Sequence, residues 1–345
     1  MKKLAWLLLI LLLGAGAAGY VVVRRLNEPY RGFEGPEQFV DIPAGASTRS
    51  IGDALIAKGV IRDELTYRLA LWVTGEARKL QAGEYRFDQP MTARDVVGKI
   101  ARGEVYRIAI TFPEGLTIAE MSKIFEAHGF GTAASFVTAA HDASLAKPFD
   151  AAARDLEGYT FPDTYSVPRK TDAPALVHLM VERFEKVLTP ELRQAATDRG
   201  LTIRQLVTLA SIVEKETAQS GERPEVASVY VNRLRRGMPL QCDPTVIYAL
   251  ERVGKYDGNI RKGDLQFDSP YNTYRYPGLP PGPIAAPGKA SLDAAAHPAD
   301  ADFLYFVSRN DGSHAFARTL DEHNRNVQQY QVQYFRARRA AEHPQ

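Results

Sequence analysis

The stretch LASIVEKETA, Leu209–Ala218, runs from an apolar segment into two glutamates separated by one lysine. A helix turns about 100° per residue, so spacing tells which residues share a face. With Leu206 as the reference direction, Leu209, Ala210 and Val213 fall within roughly 60° of it and define an apolar stripe. Glu216 lies about 80° from that reference and about 60° from Val213, one turn beyond Ile212. Glu214 falls on the flank with Val207 and Ser211, and Lys215 points away. A carboxyl held against apolar walls resists ionisation, so its pKa rises toward the range a general acid needs near neutral pH. Periodicity leaves two readings open. Either Glu216 is held at the edge of the stripe, or it frays at a solvated helix end. Pairing of either glutamate with Lys215 or a nearby arginine would lower the pKa and defeat the acid role.

Outward from this stretch the pattern stays mostly helical from about residue 131 to 236. Helices are expected over Ala173–Leu188, Ile203–Thr217 and Arg223–Arg236. Asp243 followed by Pro244 reads as an N-cap and first helical residue opening TVIYALERV. GYTFPDTYSVP, Gly158–Pro168, interrupts the helices. Residues 268–288 hold six prolines and three glycines, so no helix runs there. Tyr271, Tyr274 and Tyr276 recur within it, with Asn272 and Thr273 between them. A flexible linker has no need of such a cluster, so an ordered loop presenting aromatic and amide groups is expected. Phe303–Arg318 reads as a hairpin with its turn at Asp311-Gly312. A last helix starts at Thr319, with Glu322 completing a capping box.

Upstream lies an internal repeat. Pro43, Gly45 and Ser47, followed by Ile51, Leu55 and Gly59, recur as Pro113, Gly115 and Thr117, followed by Met121, Phe125 and Gly129, at a constant offset of 70 residues. Each copy reads as a strand, a Pro-Gly turn and a helix capped by Ser47 or Thr117. Between the copies GEYRF alternates like a strand, and Met91–Ala101 reads as a helix capped near Thr92. Residues 38–105 therefore form a small α+β domain.

The chain has 345 residues, enough for two soluble domains, with 45% apolar and 24% charged residues. Its 43 basic and 41 acidic residues leave no electrostatic footprint for nucleic acid. Cys242 is the only cysteine, which excludes an internal disulfide and a cysteine zinc site. No pair among the seven histidines stands at ligand spacing with a carboxylate between, and His314 reads as a strand residue. Neither a nucleophile turn nor a phosphate-cradling loop is present. Leu4–Val23 is a run of 20 residues without a charge, about 30 Å as a helix, which matches a bilayer core. The apolar run continues past GAGAAG into Tyr20 and Val21, which favours a retained anchor over a cleaved signal. Lys2 and Lys3 face Arg24 and Arg25 across it, so flanking charge does not set the orientation.

Several long segments, in order, carry a family likeness. LASIVEKET, ERPEVASVYVNRLRRGMPLQCDPTVIYAL, SPYNTY, GLPPGPIAAPG, LYFVSRNDGSHAF and EGYTFPDTY together resemble the endolytic murein transglycosylase (YceG-like) family, over nearly the whole chain. The resemblance implies an α+β fold: a transmembrane anchor with its cytoplasmic tail over 1–25, a linker over 26–37, a LysM-like domain over 38–105, and a mainly helical catalytic domain with a β-hairpin over 106–345. It implies a protein of the cytoplasmic membrane, held through residues 4–23 with the soluble part outside. Such a protein cuts peptidoglycan between N-acetylmuramic acid and N-acetylglucosamine within the strands, leaves a 1,6-anhydro end, and needs neither cofactor nor metal. Its partners would be glycan strands and peptidoglycan synthases, the penicillin-binding proteins. The family pattern places the catalytic carboxyl at Glu216, followed by the small hydroxyl residue Thr217. Carried over with it as substrate-binding candidates are Glu222, Asn232, Gln241, Tyr271, Asn272 and Tyr274. Cys242 stands where the family carries a small hydroxyl residue and receives no role. Two rival readings remain, a two-carboxylate muramidase using Asp243 or Glu222 as its second group, and a non-catalytic wall-binding scaffold.

Overall fold

A computed structural model describes residues 2–342. The chain divides into two compact units, one built from residues up to 108 together with 166–169, the other from 109–165 and from residue 170 onward. It is mostly helical, with three two-stranded sheets among the described residues.

The first unit opens with α1 (Lys2–Asn27), long and apolar enough to cross a bilayer. Its last turns are built into the unit, because Leu26 is buried and Val22 packs on the core. After it come β1 (Gln38–Ile42), α2 (Thr48–Ala57), α3 (Glu64–Thr74), β2 (Gly83–Phe87) and α4 (Ala93–Ala101). β1 and β2 pair antiparallel with Val40 opposite Tyr85. Val40, Tyr85 and Phe87 point inward by strand alternation and meet Ile51, Leu55, Ala70 and Val96 from the helices. Ser47, Asp63 and Thr92 cap α2, α3 and α4 through their side-chain oxygens. Residues 26–37, expected as a linker, are tied down. Tyr30 and Met91 exchange backbone hydrogen bonds, and the Gly32 N–H donates to the Gly59 carbonyl. Phe33 adds apolar surface that packs against the core of the unit.

The sequence repeat is larger than its motif. β3 (Ile108–Thr111) leads through Gly115, at φ 78°, into α5 (Ile118–Ala127), with Thr117 and Glu120 forming a capping box. α6 (Ala133–Ala140) follows, and β4 (Thr164–Val167) returns to pair with β3. Both copies are thus β-α-α-β. The matched positions Leu55 and Phe125 are each fully buried.

The rest of the second unit is helical: α7 (Ala173–Val187), α8 (Pro190–Asp198), α9 (Ile203–Glu216), α10 (Arg223–Arg235), α11 (Asp243–Glu251) and α12 (Lys289–Ala296). α9 is its central rod, in contact with α8, α10, α11 and α12. Eight consecutive residues, Leu206–Val213, are buried, so α9 is covered on every side and not along one stripe. The proline-rich loop supplies part of that cover. Ile284, Ala285 and Ala286 are buried, and the Ile284 N–H donates to Ser211 Oγ at 3.1 Å. Gly158, at φ 81°, lets this loop close in, since a Cβ there would stand 2.5 Å from Pro283 Cβ. β5 (Tyr305–Ser308) and β6 (His314–Ala317) form the hairpin, with Asn310 and Gly312 at positive φ in its five-residue turn. α13 (Leu320–Val327), capped by Thr319 and Glu322, continues through a π-helical turn at Gln328–Gln333 into α14 (Tyr334–Glu342).

Glu157 makes the second unit's stability pH-dependent. Its carboxyl is buried, accepts from the Ile118 N–H at 3.0 Å and from Tyr248 Oη at 3.2 Å, and burial pushes its pKa up to about 8. The unfolded chain releases this proton near 4.5. The native state therefore holds the extra proton between those values, and its stability falls as pH rises through that window, by about 1.4 kcal/mol per pH unit from this group. Glu157→Gln removes the titration. Its melting temperature is expected to match or trail the wild type at pH 5 and to exceed it at pH 9. Parallel pH dependence in both proteins by calorimetry would contradict this.

Candidate active site

Glu216 is the last helical residue of α9, because Thr217 leaves the helix in extended conformation (φ −137°, ψ 130°). The break fixes the carboxyl at the edge of the central rod. Tyr230, on α10, donates its Oη–H to Glu216 Oε1 at 2.6 Å. The Cys242 thiol, just ahead of α11, is a second hydrogen-bond partner. Glu216 retains some solvent access, while protein encloses its carboxyl on the other sides. That enclosure raises its pKa, since the ionised form loses hydration. Tyr230 and Cys242 pull the other way, Asp243 adds like-charge repulsion, and His314 opposes it. The free carbonyls at the α9 C-terminus also disfavour a negative charge there. Burial and the neighbouring negative charge likewise push the Tyr230 hydroxyl and the Cys242 thiol well up, so both stay protonated as donors.

Glu214, two residues earlier, has the opposite environment. Its side chain is 6% exposed, and Oε1 accepts from Arg223 Nη2 at 2.9 Å. Oε2 accepts from the Gly288 N–H at 2.9 Å. The flank expected from helical phase is thus a buried face, sealed by the proline-rich loop. Lys215 reaches across to the Gly115 carbonyl at 3.1 Å and leaves Glu216 unpaired with any cation of its own helix. Partners, more than phase, separate the two glutamates. One is locked to an arginine, and the other faces two neutral donors.

The wall around Glu216 draws on further elements. Tyr230 packs edge-on to Phe306 of β5 at 6.0 Å between ring centroids, and Phe306 meets His314 of β6 at 5.3 Å. His314 is gripped by Glu222, which accepts from its backbone N–H at 2.9 Å and lies 2.7 Å from its Nδ1. Tyr274 donates to Asp243 Oδ1 at 2.5 Å. Asp243 was expected to cap α11 but is its first helical residue, and its carboxylate is taken by that tyrosine.

The other sequence-derived candidates divide. Thr217 is buried, and its hydroxyl accepts from the Gln219 N–H at 3.1 Å, shaping the turn after Glu216. Gln241, next to Cys242, holds φ 52° with its side chain exposed, a conformation that strains a non-glycine residue. Asn232 spends its amide nitrogen on the Ala301 and Phe303 carbonyls, and buried Asn272 spends its own on those of Leu265 and Phe267. Both amides hold loops in place. Tyr271 packs on Tyr248 at 5.0 Å and under Arg252, beside Glu157, and faces a cavity there and not the Glu216 cluster. Tyr230, Cys242 and His314 join Glu216 without having been selected. Tyr230 sits 14 residues downstream on the next α-helix, and nothing in local spacing signals that pairing.

The chain matches the YceG-like family over residues 40–329. It is 32% identical over 307 residues to a Bacillus subtilis protein named endolytic murein transglycosylase, covering 84% of each chain. A Streptococcus pneumoniae protein of the same name is 30% identical over 323 residues, and the match covers 84% of this chain but 58% of that longer one. Among solved structures, a YceG-like protein of Listeria monocytogenes superposes with a TM-score of 0.58 at 31% identity, covering 84% of this chain and 98% of that one. A match of this extent takes in Glu216, its donors and the hairpin beside it, and on that extent the chain belongs to the YceG-like family.

Proposed function

We propose that the protein is a membrane-anchored endolytic lytic transglycosylase of peptidoglycan, with Glu216 as its acid and base. The observation that carries this reading is the environment of Glu216: a single carboxyl, its pKa raised by enclosure, with neutral hydrogen-bond donors and a solvent-facing side. Glu216 protonates the oxygen linking N-acetylmuramic acid to N-acetylglucosamine as the bond to the anomeric carbon breaks. The muramic 6-hydroxyl attacks that carbon and gives its proton to the Glu216 carboxylate. The product ends in a 1,6-anhydro sugar and the enzyme returns to its starting protonation. The attacking hydroxyl is already tethered, so no second carboxylate has to hold a water. This agrees with the other carboxyls nearby being occupied, Glu222 by His314 and Asp243 by Tyr274.

The names of the Bacillus and Streptococcus relatives support murein as substrate. The β-α-α-β order of the first unit supports a LysM-like reading and a role in holding glycan. α1 would anchor the chain in the cytoplasmic membrane with the soluble units outside, where strands emerge from the penicillin-binding proteins. Cutting there would end strand growth, so replacing the wild type by an inactive variant lengthens the glycan strands. Unchanged length would count against the terminator role.

Tyr230→Phe tests the acid role. Its hydrogen bond favours the ionised form of Glu216, so its removal raises the pKa further. Cleavage requires the protonated form in the free enzyme and falls as pH rises through that pKa. The alkaline limb of the kcat/KM profile is therefore expected to move to higher pH in Tyr230→Phe. An unmoved limb would show that another group sets it.

A further inference from the structure

The helix α3 carries apolar residues on the side a soluble helix keeps polar. Thr66, Tyr67, Ala70 and Leu71 face the core, whereas Leu65, Trp72 and Val73 are 56%, 81% and 41% exposed. Leu65, Trp72 and Val73 span about 100° of the helix surface, bordered by Arg68. An exposed apolar face of this kind marks a surface that something covers.

Its neighbour identifies the cover. α1 packs against α3, with Val22 and Leu26 set into the same core. Arg25 Nη2 bonds Asp63 Oδ2 at 2.5 Å, and Asp63 is the N-cap of α3. Arg62 pairs with Glu28 at 3.5 Å. The apolar run of α1 ends at Val23, so the edge of a bilayer crossed by it falls close to Arg24 and Arg25. No slack chain separates that edge from α3. Trp72 lies nine residues along from Asp63, about 14 Å at helical rise. Tryptophan and arginine are residues that the interface between lipid tails and water favours.

We infer that the outward face of α3, formed by Leu65, Trp72 and Val73, seats in the headgroup region of the bilayer that α1 crosses, and holds the first unit against the membrane surface. The inference rests on α1 spanning the bilayer, and the two claims separate experimentally. The chain has two tryptophans, Trp6 within α1 and Trp72 on α3. Full-length Trp6→Phe protein leaves Trp72 as sole reporter, and Trp72→Phe leaves Trp6. Each is reconstituted into phosphatidylcholine vesicles with or without lipid brominated high on the acyl chain. The expected result is that bromolipid roughly halves the emission of Trp72 as well as of Trp6. If Trp6 is quenched and Trp72 is not, α1 spans but α3 faces water or a protein, and the inference is overturned. If neither is quenched, the spanning helix falls and the inference with it.

Discussion

Glu216→Gln is expected to lower glycan cleavage by about 10²–10⁴-fold with the fold unchanged. Glutamine keeps the shape of the side chain, and its carbonyl can still accept the Tyr230 hydroxyl that now lies 2.6 Å from Oε1. What it lacks is a proton to give and a carboxylate to take one back. Both steps of the proposed reaction pass through this group, so the loss should lie toward the upper end of that range. The melting temperature should rise or stay level, because the enclosed ionisable group becomes neutral. Wild-type cleavage by the variant would remove Glu216 from the mechanism.

Arg223→Ala is expected to be the most destabilising of these changes. The guanidinium is 10% exposed and meets Glu214, itself 6% exposed, at 2.9 Å, with Glu114 at 3.6 Å. Taking away the arginine leaves the Glu214 carboxylate buried without its countercharge, which costs about 3–5 kcal/mol. For a unit of this size that is a fall of roughly 6–20 °C in melting temperature. The same carboxylate accepts from Gly288 at the end of the proline-rich loop, so the loop should loosen over α9 as well. Glu214→Gln keeps an acceptor for only one of these two donors, but it leaves no carboxylate buried without a countercharge and keeps Glu114 beside Arg223, so it should cost less. A loss below about 1 kcal/mol in Arg223→Ala by calorimetry would mean that the pair contributes little.

Much of the local structure could be read from the chain because it is locally encoded. The caps at Ser47, Thr92, Thr117 and Thr319, the α7, α9 and α10 spans and the hairpin follow from residues within one or two turns of each other. The proline-rich segment was readable as an ordered loop because its tyrosines and amides need partners, and Asn272 and Tyr276 find them in Leu265, Phe267 and Asp268. What escaped depends on contacts distant in sequence. Helical phase treated α9 as half-buried, yet the loop at 283–288 covers its second face, so the flank position of Glu214 became an ion-pair site. The return of β4 to β3 closes the second β-α-α-β copy across about 50 residues, beyond what the turn motif reveals. Tyr230, Cys242 and His314 reach Glu216 from three separate elements, and no spacing rule joins them.

The central claim, a single carboxyl acting with the sugar's own hydroxyl, is tested most directly by the mass of the cut ends. Wild-type protein in vesicles is incubated with un-nicked glycan strands, and the new termini are weighed by mass spectrometry. The account predicts muramic termini lighter by one water, the 1,6-anhydro form, absent from the Glu216→Gln digest. Termini that carry the water, as reducing ends, would contradict it and point to a hydrolase with a second working carboxylate.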